Sequence, residues 1–236
     1  KGVFSKIINE GKNFENMDDT LLSMAEVEIK LGNREEASKL LLAVSKKSPK
    51  FDHIDYTYYL LGLIEVVSNQ LAAAESTFKK VSQNSINDDL LRSSNFWVGV
   101  LSFKQRQYET AVGYFQNLWE NPKSIPLEYL RYALFWLGEA QLKLGRFQEA
   151  KFYYKTFVDR FKNDPLIPEA TWRMGVCDYQ LGNLKNAIET LQLFKNQFKD
   201  SPLLFYTHYL LAKIFMMKGD HLSAIKELNF IFNSSQ

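Results

Sequence analysis

Cysteine is almost absent. The single Cys177 excludes an internal disulfide framework. Long apolar runs are missing too, and no stretch reaches the roughly 18 residues needed to read as a membrane-spanning helix. Proline is scarce: the six in 236 residues fall at breaks between apolar-periodic segments and do not interrupt them. Neither sign of charge dominates. There are 29 Lys and Arg against 27 Asp and Glu, a net charge of +2, so the clustered basic face of a nucleic-acid binder is not in sight. His53, His208 and His221 share no ligand spacing, which argues against a metal site or a catalytic base and for surface or partly packed histidines. No HExxH, GxSxG, P-loop or dinucleotide fingerprint occurs. The chain therefore reads as non-catalytic, with no cofactor expected. Residue 1 is Lys and no signal peptide is visible.

What is present is a repeat. Gly138, Gly145 and Ala150 recur 37 residues later as Gly175, Gly182 and Ala187, and again as Ala212, Gly219 and Ala224. Thirty-nine residues earlier stand Gly99, Arg106 and Ala111. Further steps of 37 give Gly62, Asn69 and Ala74, then Ala25, Gly32 and Ala37. Six copies of one unit fill residues 17–236, at about 17–53, 54–90, 91–129, 130–166, 167–203 and 204–236. A fixed period in this range marks a solenoid, which has no single central core. Phe4 lies 37 before Leu41, so residues 1–16 are expected to hold the second helix of a truncated preceding unit, with the natural protein continuing on that side. The two extra residues between units three and four fall in Glu120–Pro126, expected to form a slightly longer surface loop.

Each unit contains two amphipathic helical patterns. The glycine at its middle ends the first helix by accepting left-handed backbone. Asn33, Asn183 and Asp220 follow these glycines and suit the N-cap of the second helix, Asn33 with Glu36 as a capping box. Asp18-Asp19 and Asp88-Asp89 are expected to cap as well, and Lys46-Lys47 and Lys79-Lys80 to form solvated helix ends. Ser48-Pro49, Asp164-Pro165 and Ser201-Pro202 punctuate the passage to the next unit. The invariant alanines, Ala37 to Ala224, oppose the invariant small residues of the first helices, which predicts a close approach of two backbones. Large residues three before and four after the first-helix glycine predict core. Apolar residues one before and two after it predict packing on a neighbouring unit. Cys177 occupies the latter position and reads as a small core residue.

A small residue, a glycine seven on, an alanine five beyond that and an aromatic or leucine four further resembles the tetratricopeptide repeat. The usual period is about 34, so each unit here carries about three extra residues, and the aromatic (Phe96-Trp97, Phe135-Trp136) sits closer to the glycine than usual. An ankyrin array is disfavoured by the lack of its TPLH-type turn. FWLGEAQLKLG and FVDRFKNDPLIPEATWRMGVCDYQLG are similar to bacterial envelope members: the outer-membrane-assembly lipoprotein, the periplasmic Tol–Pal coordinator and flagellar-motor scaffolds. The resemblance implies an all-α, right-handed α-solenoid of about six helical hairpins. It also implies a protein or peptide partner and a periplasmic role in envelope or flagellar-motor assembly. A structural spacer within a longer solenoid and a cytoplasmic adaptor are the rival readings. Oligomeric state stays open.

One stripe of the first helices mixes aromatics with charge: Tyr56, Leu60, Leu63 and Val67; Trp97, Val100 and Lys104; Tyr132, Trp136, Glu139 and Lys143; Arg173 and Val176; Tyr206, Leu210, Lys213 and Met217. In the family the first helices line the concave side, so the resemblance makes this stripe the candidate partner surface. The same residues are also compatible with core. Exposure of Trp136 decides between the two.

Overall fold

The computed structural model describes residues 17–121 and 127–233. Among them are twelve α-helices and no strand. They are α1 Met17–Lys30, α2 Arg34–Lys47, α3 Ile54–Val67, α4 Leu71–Asn84, α5 Asp88–Lys104, α6 Tyr108–Glu120, α7 Leu127–Lys143, α8 Phe147–Arg160, α9 Ile167–Gln180, α10 Leu184–Gln197, α11 Leu204–Met217 and α12 His221–Asn233. The expected truncated unit in residues 1–16 lies outside the described residues, as does most of the expected longer loop. The chain divides into two compact units, Lys1–Leu101 and Ser102–Gln236.

In the first unit α1 packs on α2, α2 on α3 and α3 on α4. In the second, each helix from α6 to α12 packs on the next. The turn inside every hairpin is the same. The residue after the last turn is left-handed, with φ from +74° to +81° at Gly32, Gly145, Gly182 and Gly219. Its N–H donates three residues back and the next N–H five back, as in Gly32 to Ile29 (3.0 Å) and Asn33 to Glu28 (2.9 Å). This double bond satisfies carbonyls that a helix end would otherwise leave unpaired. Asn69 and Arg106 hold the same conformation, at φ 58° and 64°, without glycine's freedom.

The alanine ladder is buried throughout, between 0% and 2% exposed. Its partner differs from the expected bare backbone crossing. The residue four beyond the alanine fills the space that the first-helix glycine leaves: a Cβ on Gly62 would lie 2.8 Å from the Phe78 ring, and one on Gly175 2.8 Å from Leu191. The glycine is thus a socket for a large side chain. Residues one before and two after it pack on the preceding second helix as expected: Leu61 and Ile64 cluster with Leu41 and Val44, and Leu211 and Ile214 with Ala187 and Leu191. Cys177 joins Tyr154 and Phe157. Burial, with Asp178 and Glu139 adding to it, pushes its thiol up to about 12.

Several local expectations are corrected. Phe96 and Phe135 are core, but Tyr209 and Met216 are 59% and 56% exposed. The equivalent Trp172 is covered by Tyr206 of the following hairpin (ring centroids 6.4 Å), whereas no described helix follows α12. Asn33 and Asn183 do not cap through their side chains, and no capping box forms. Both have ψ near +60°, short of the extended backbone from which a cap reaches into the first turn. The Asn33 amide donates instead to Glu28 (2.7 Å). Asp220 does cap, accepting from the Ser223 N–H (3.1 Å). Asp18, Asp19, Asp88 and Asp89 stand inside first turns, where they complement the helix dipole. Asn87 is the residue that caps α5, accepting from Asp89 and Leu90. Lys79 and Lys80 lie within α4, bonded to Glu75 and placed over the Tyr58 ring.

Candidate functional site

In the first unit the stripe is largely packed. Leu60 and Val100 are buried, at 8% and 6% exposure. Leu60 clusters with Leu41 and Val44, so it serves the core and cannot touch a partner. Tyr56 and Leu63 are half-buried, and the Tyr56 hydroxyl donates to Glu26 (2.9 Å). Trp97 is half-buried and stacks parallel on Phe78 (6.1 Å). Val67 is exposed, as is Lys104 at the start of the second unit.

The second unit behaves differently. Tyr132 and Trp136 are half-buried, Tyr132 lying under the Arg131 guanidinium and Trp136 edge-on to Phe103 (4.9 Å). Trp136 is therefore neither fully exposed nor core. Glu139 is buried and Arg173 half-buried. Lys143, Tyr206, Lys213 and Met217 are exposed, Lys213 over the Tyr179 ring.

Three stripe residues, Trp136 and Glu139 from α7 and Arg173 from α9, line one open cavity of about 780 Å³. Its apolar wall is Phe135, Trp136, Leu166 and Phe198, with prolines at 165, 168 and 202. The helix pattern fixes the arrangement. Trp136 and Glu139 are three residues apart and share a helix face, as do Glu169 and Arg173, four apart. Arg173 bridges two carboxylates, Glu139 at 2.8 Å and Glu169 at 2.9 Å. The Tyr154 hydroxyl donates to Glu139 at 2.6 Å, and burial, then the Glu139 charge, holds that phenol well above its usual range. Burial also raises the Glu169 carboxyl; Arg173 opposes the shift and Glu139 adds to it.

Sequence reasoning missed part of this site. Glu169 carries no assignment from sequence, and Asp164-Pro165 and Ser201-Pro202 read only as punctuation. The available signal was the repeated acidic-or-serine–proline–leucine turn, Asp164-Pro165-Leu166 and Ser201-Pro202-Leu203. In each, the side chain of the first residue accepts from the leucine N–H (2.8 Å and 3.2 Å), which sets the turn rigidly at the cavity wall. Tyr132, Lys143, Tyr206 and Lys213 are not among the cavity's lining residues.

Elsewhere, His53 and His221 are exposed, while His208 is buried against Glu227 (2.6 Å), whose carboxylate also accepts from Lys195 (2.7 Å). Among the described residues no group of three or more His, Cys, Asp or Glu is placed to hold a metal ion, and no helix is long and apolar enough to cross a membrane.

Residues 137–202 match the family model for the tetratricopeptide repeat. No curated protein sequence matches the chain. Solved structures do. A tetratricopeptide repeat protein from Parabacteroides merdae superposes with a TM-score of 0.70 at 15% identity, over 92% of this chain and 79% of its own. YrrB, described as a tetratricopeptide repeat protein with an unusual peptide-binding site, gives 0.67 at 20% identity, over 86% of this chain and 96% of its own. MamA from Desulfovibrio magneticus gives 0.64 at 17% identity, over 76% and 93%. The fold is that of the tetratricopeptide α-solenoids, and residues 137–202 carry the sequence pattern of the repeat itself.

Proposed function

We propose that the chain is a non-catalytic scaffold that holds a protein or peptide segment in the cleft of its second unit. One observation carries this reading. Trp136, Glu139 and Arg173, from two successive hairpins, meet on a single open cavity with an apolar wall and a few fixed charges. That combination suits an extended or helical segment better than a small reactant, since nothing in it resembles a nucleophile beside a base. The peptide-binding site of YrrB, a protein of similar fold, supports the assignment. Substituting Trp136 by alanine should leave the helical fold intact and abolish photo-crosslinking from the cleft in cells. Undiminished crosslinking by the folded variant would remove the cleft as the binding surface.

The cellular setting we propose is the bacterial periplasm, in envelope or flagellar-motor assembly, on the likeness of the 135–182 pattern to envelope members of the family. Osmotic-shock fractionation of the natural protein tests it, and retention with the cytoplasm would exclude it. A spacer role is a second reading, favoured by the exposed Tyr209, Met216 and Leu228 on the last hairpin, at 59%, 56% and 40%. Deleting one 37-residue unit should be tolerated by a spacer with only a geometric defect, but not by a binding cleft.

A further inference from the structure

We propose that the cleft of the second unit selects peptide segments that present a basic side chain, lysine or arginine, next to an apolar one. This rests on the reading of the cleft as a protein-binding site and adds the chemistry of what enters it.

Charge is the first ground. Glu139, Glu169 and Asp200 line the cavity, against Arg173 and Lys199. Arg173 is already committed to both glutamates, at 2.8 Å and 2.9 Å. One guanidinium cannot neutralise two carboxylates, and the neutral Tyr154 hydroxyl that also bonds Glu139 adds no positive charge. Lys199 and Asp200 are both exposed, so water screens both, and the less exposed charges are Glu139 and Glu169 against Arg173. The lining therefore carries negative charge in excess, and a further carboxylate arriving on a ligand would be repelled.

The second ground is the end of a helix. Gln197 is the last residue of α10 and Phe198 its C-cap, and both line the cavity. A helix C-terminus presents the negative end of the backbone dipole and favours cations within its last turn. Carboxylates and helix end thus point to the same ligand charge.

The apolar wall supplies the rest. Lysine and arginine carry long aliphatic stems that lie along apolar surface while the head stays polar. Trp136, Leu166 and Phe198 offer such a surface, and tryptophan is the best aromatic partner for a cation. A flanking leucine or valine on the peptide would fill what the stem leaves.

The test uses fluorescein-labelled, end-blocked peptides of the form Ser-Gly-Leu-Leu-X-Leu-Leu-Gly-Ser, with X arginine, glutamine or glutamate, titrated by anisotropy with the whole chain. The arginine peptide should bind about tenfold more tightly than the glutamine peptide in 50 mM salt, with the glutamate peptide weakest, and the preference should shrink in 500 mM salt. Glu169→Gln combined with Asp200→Asn, folded by circular dichroism, should bring the arginine and glutamine peptides to equal affinity. Equal binding of all three peptides by the native chain overturns the basic preference, as does no binding of the arginine peptide up to millimolar protein. If the three bind equally but all are lost on Trp136→Ala, the cleft reading stands and only this inference fails. If the arginine peptide binds Trp136→Ala undiminished, the cleft reading fails with it.

Discussion

Gly138 and Tyr154 are a socket and its plug. A Cβ on Gly138 would lie 2.8 Å from the Tyr154 ring, and the ring's hydroxyl continues past it to Glu139. The closeness that sets the hairpin geometry is thus glycine against aromatic ring. Gly138→Ala gains about 1 kcal/mol of helix propensity but overpacks a fully buried ring, at a cost of about 1–3 kcal/mol. We expect a net loss of stability and a melting temperature lower by a few degrees. Gly113→Ala is the control. It lies inside α6 with nothing within 4 Å of its added Cβ, so the same substitution should raise stability by about 0.8–1 kcal/mol. Equal shifts at the two sites would refute the socket.

Arg106 sits where four other units have glycine, at φ 64°. Left-handed backbone costs an ordinary L-residue about 1–2 kcal/mol. Glycine would remove that strain but enlarge the unfolded ensemble by about 0.4–1 kcal/mol. Arg106→Gly should therefore stabilise by roughly 0.5–1 kcal/mol in urea unfolding, and Gly145→Ala, at φ 75°, should do the reverse. A destabilised Arg106→Gly variant would mean that the arginine side chain makes contacts worth more than the strain.

The repeat was legible because its two constraints are backbone constraints. A left-handed residue at the hairpin turn and a small residue in each helix leave a mark on residue identity at fixed spacing, and the buried alanine ladder follows from the same register. The caps were not legible. Asn33 has a capping side chain, but the preceding turn imposes its dihedral angles and turns the amide back to Glu28. The candidate site was half legible. Trp136, Glu139 and Arg173 could be placed by helical periodicity, whereas Glu169 and the proline turns belong to the cavity only because successive hairpins bring them there. Leu60 and Val100 share the stripe's register yet are core, because spacing fixes a direction on a helix and not the depth of what faces it.

His208 makes the last hairpin sensitive to acid. It is buried, stacks on Phe230 at 3.7 Å and faces Glu227, with Lys195 beyond. Burial lowers its folded-state value below the ordinary 6.5, against the raising effect of Glu227. The unfolded chain then binds the proton more readily than the folded one. Stability contributed by neutral His208 is full above the unfolded value and is lost as pH falls from there through the folded value. Melting temperature should thus fall between pH 7 and pH 5, and His208→Gln should flatten that segment of the profile. An unchanged slope in the variant would assign the acid sensitivity elsewhere.

Lys151 and Asp178 form an ion pair of unequal partners. The Nζ–Oδ1 distance is 2.6 Å, but the Asp178 side chain is 1% exposed and that of Lys151 26%. The two single removals should therefore differ. Lys151→Met strands a buried carboxylate whose other oxygen, Oδ2, already lacks a hydrogen-bond partner among the described residues, and a loss of about 3 kcal/mol is expected. Asp178→Leu leaves a lysine that can swing its head into water, so the loss should be smaller. Joining the two changes replaces the pair by apolar contact between α8 and α9 and should recover most of the Lys151→Met loss, because such replacements of a buried pair are often neutral. Urea unfolding of the two single variants and the double variant decides the matter. Equal single-variant losses that simply add in the double would mean that the buried carboxylate is not relying on Lys151 for its charge compensation.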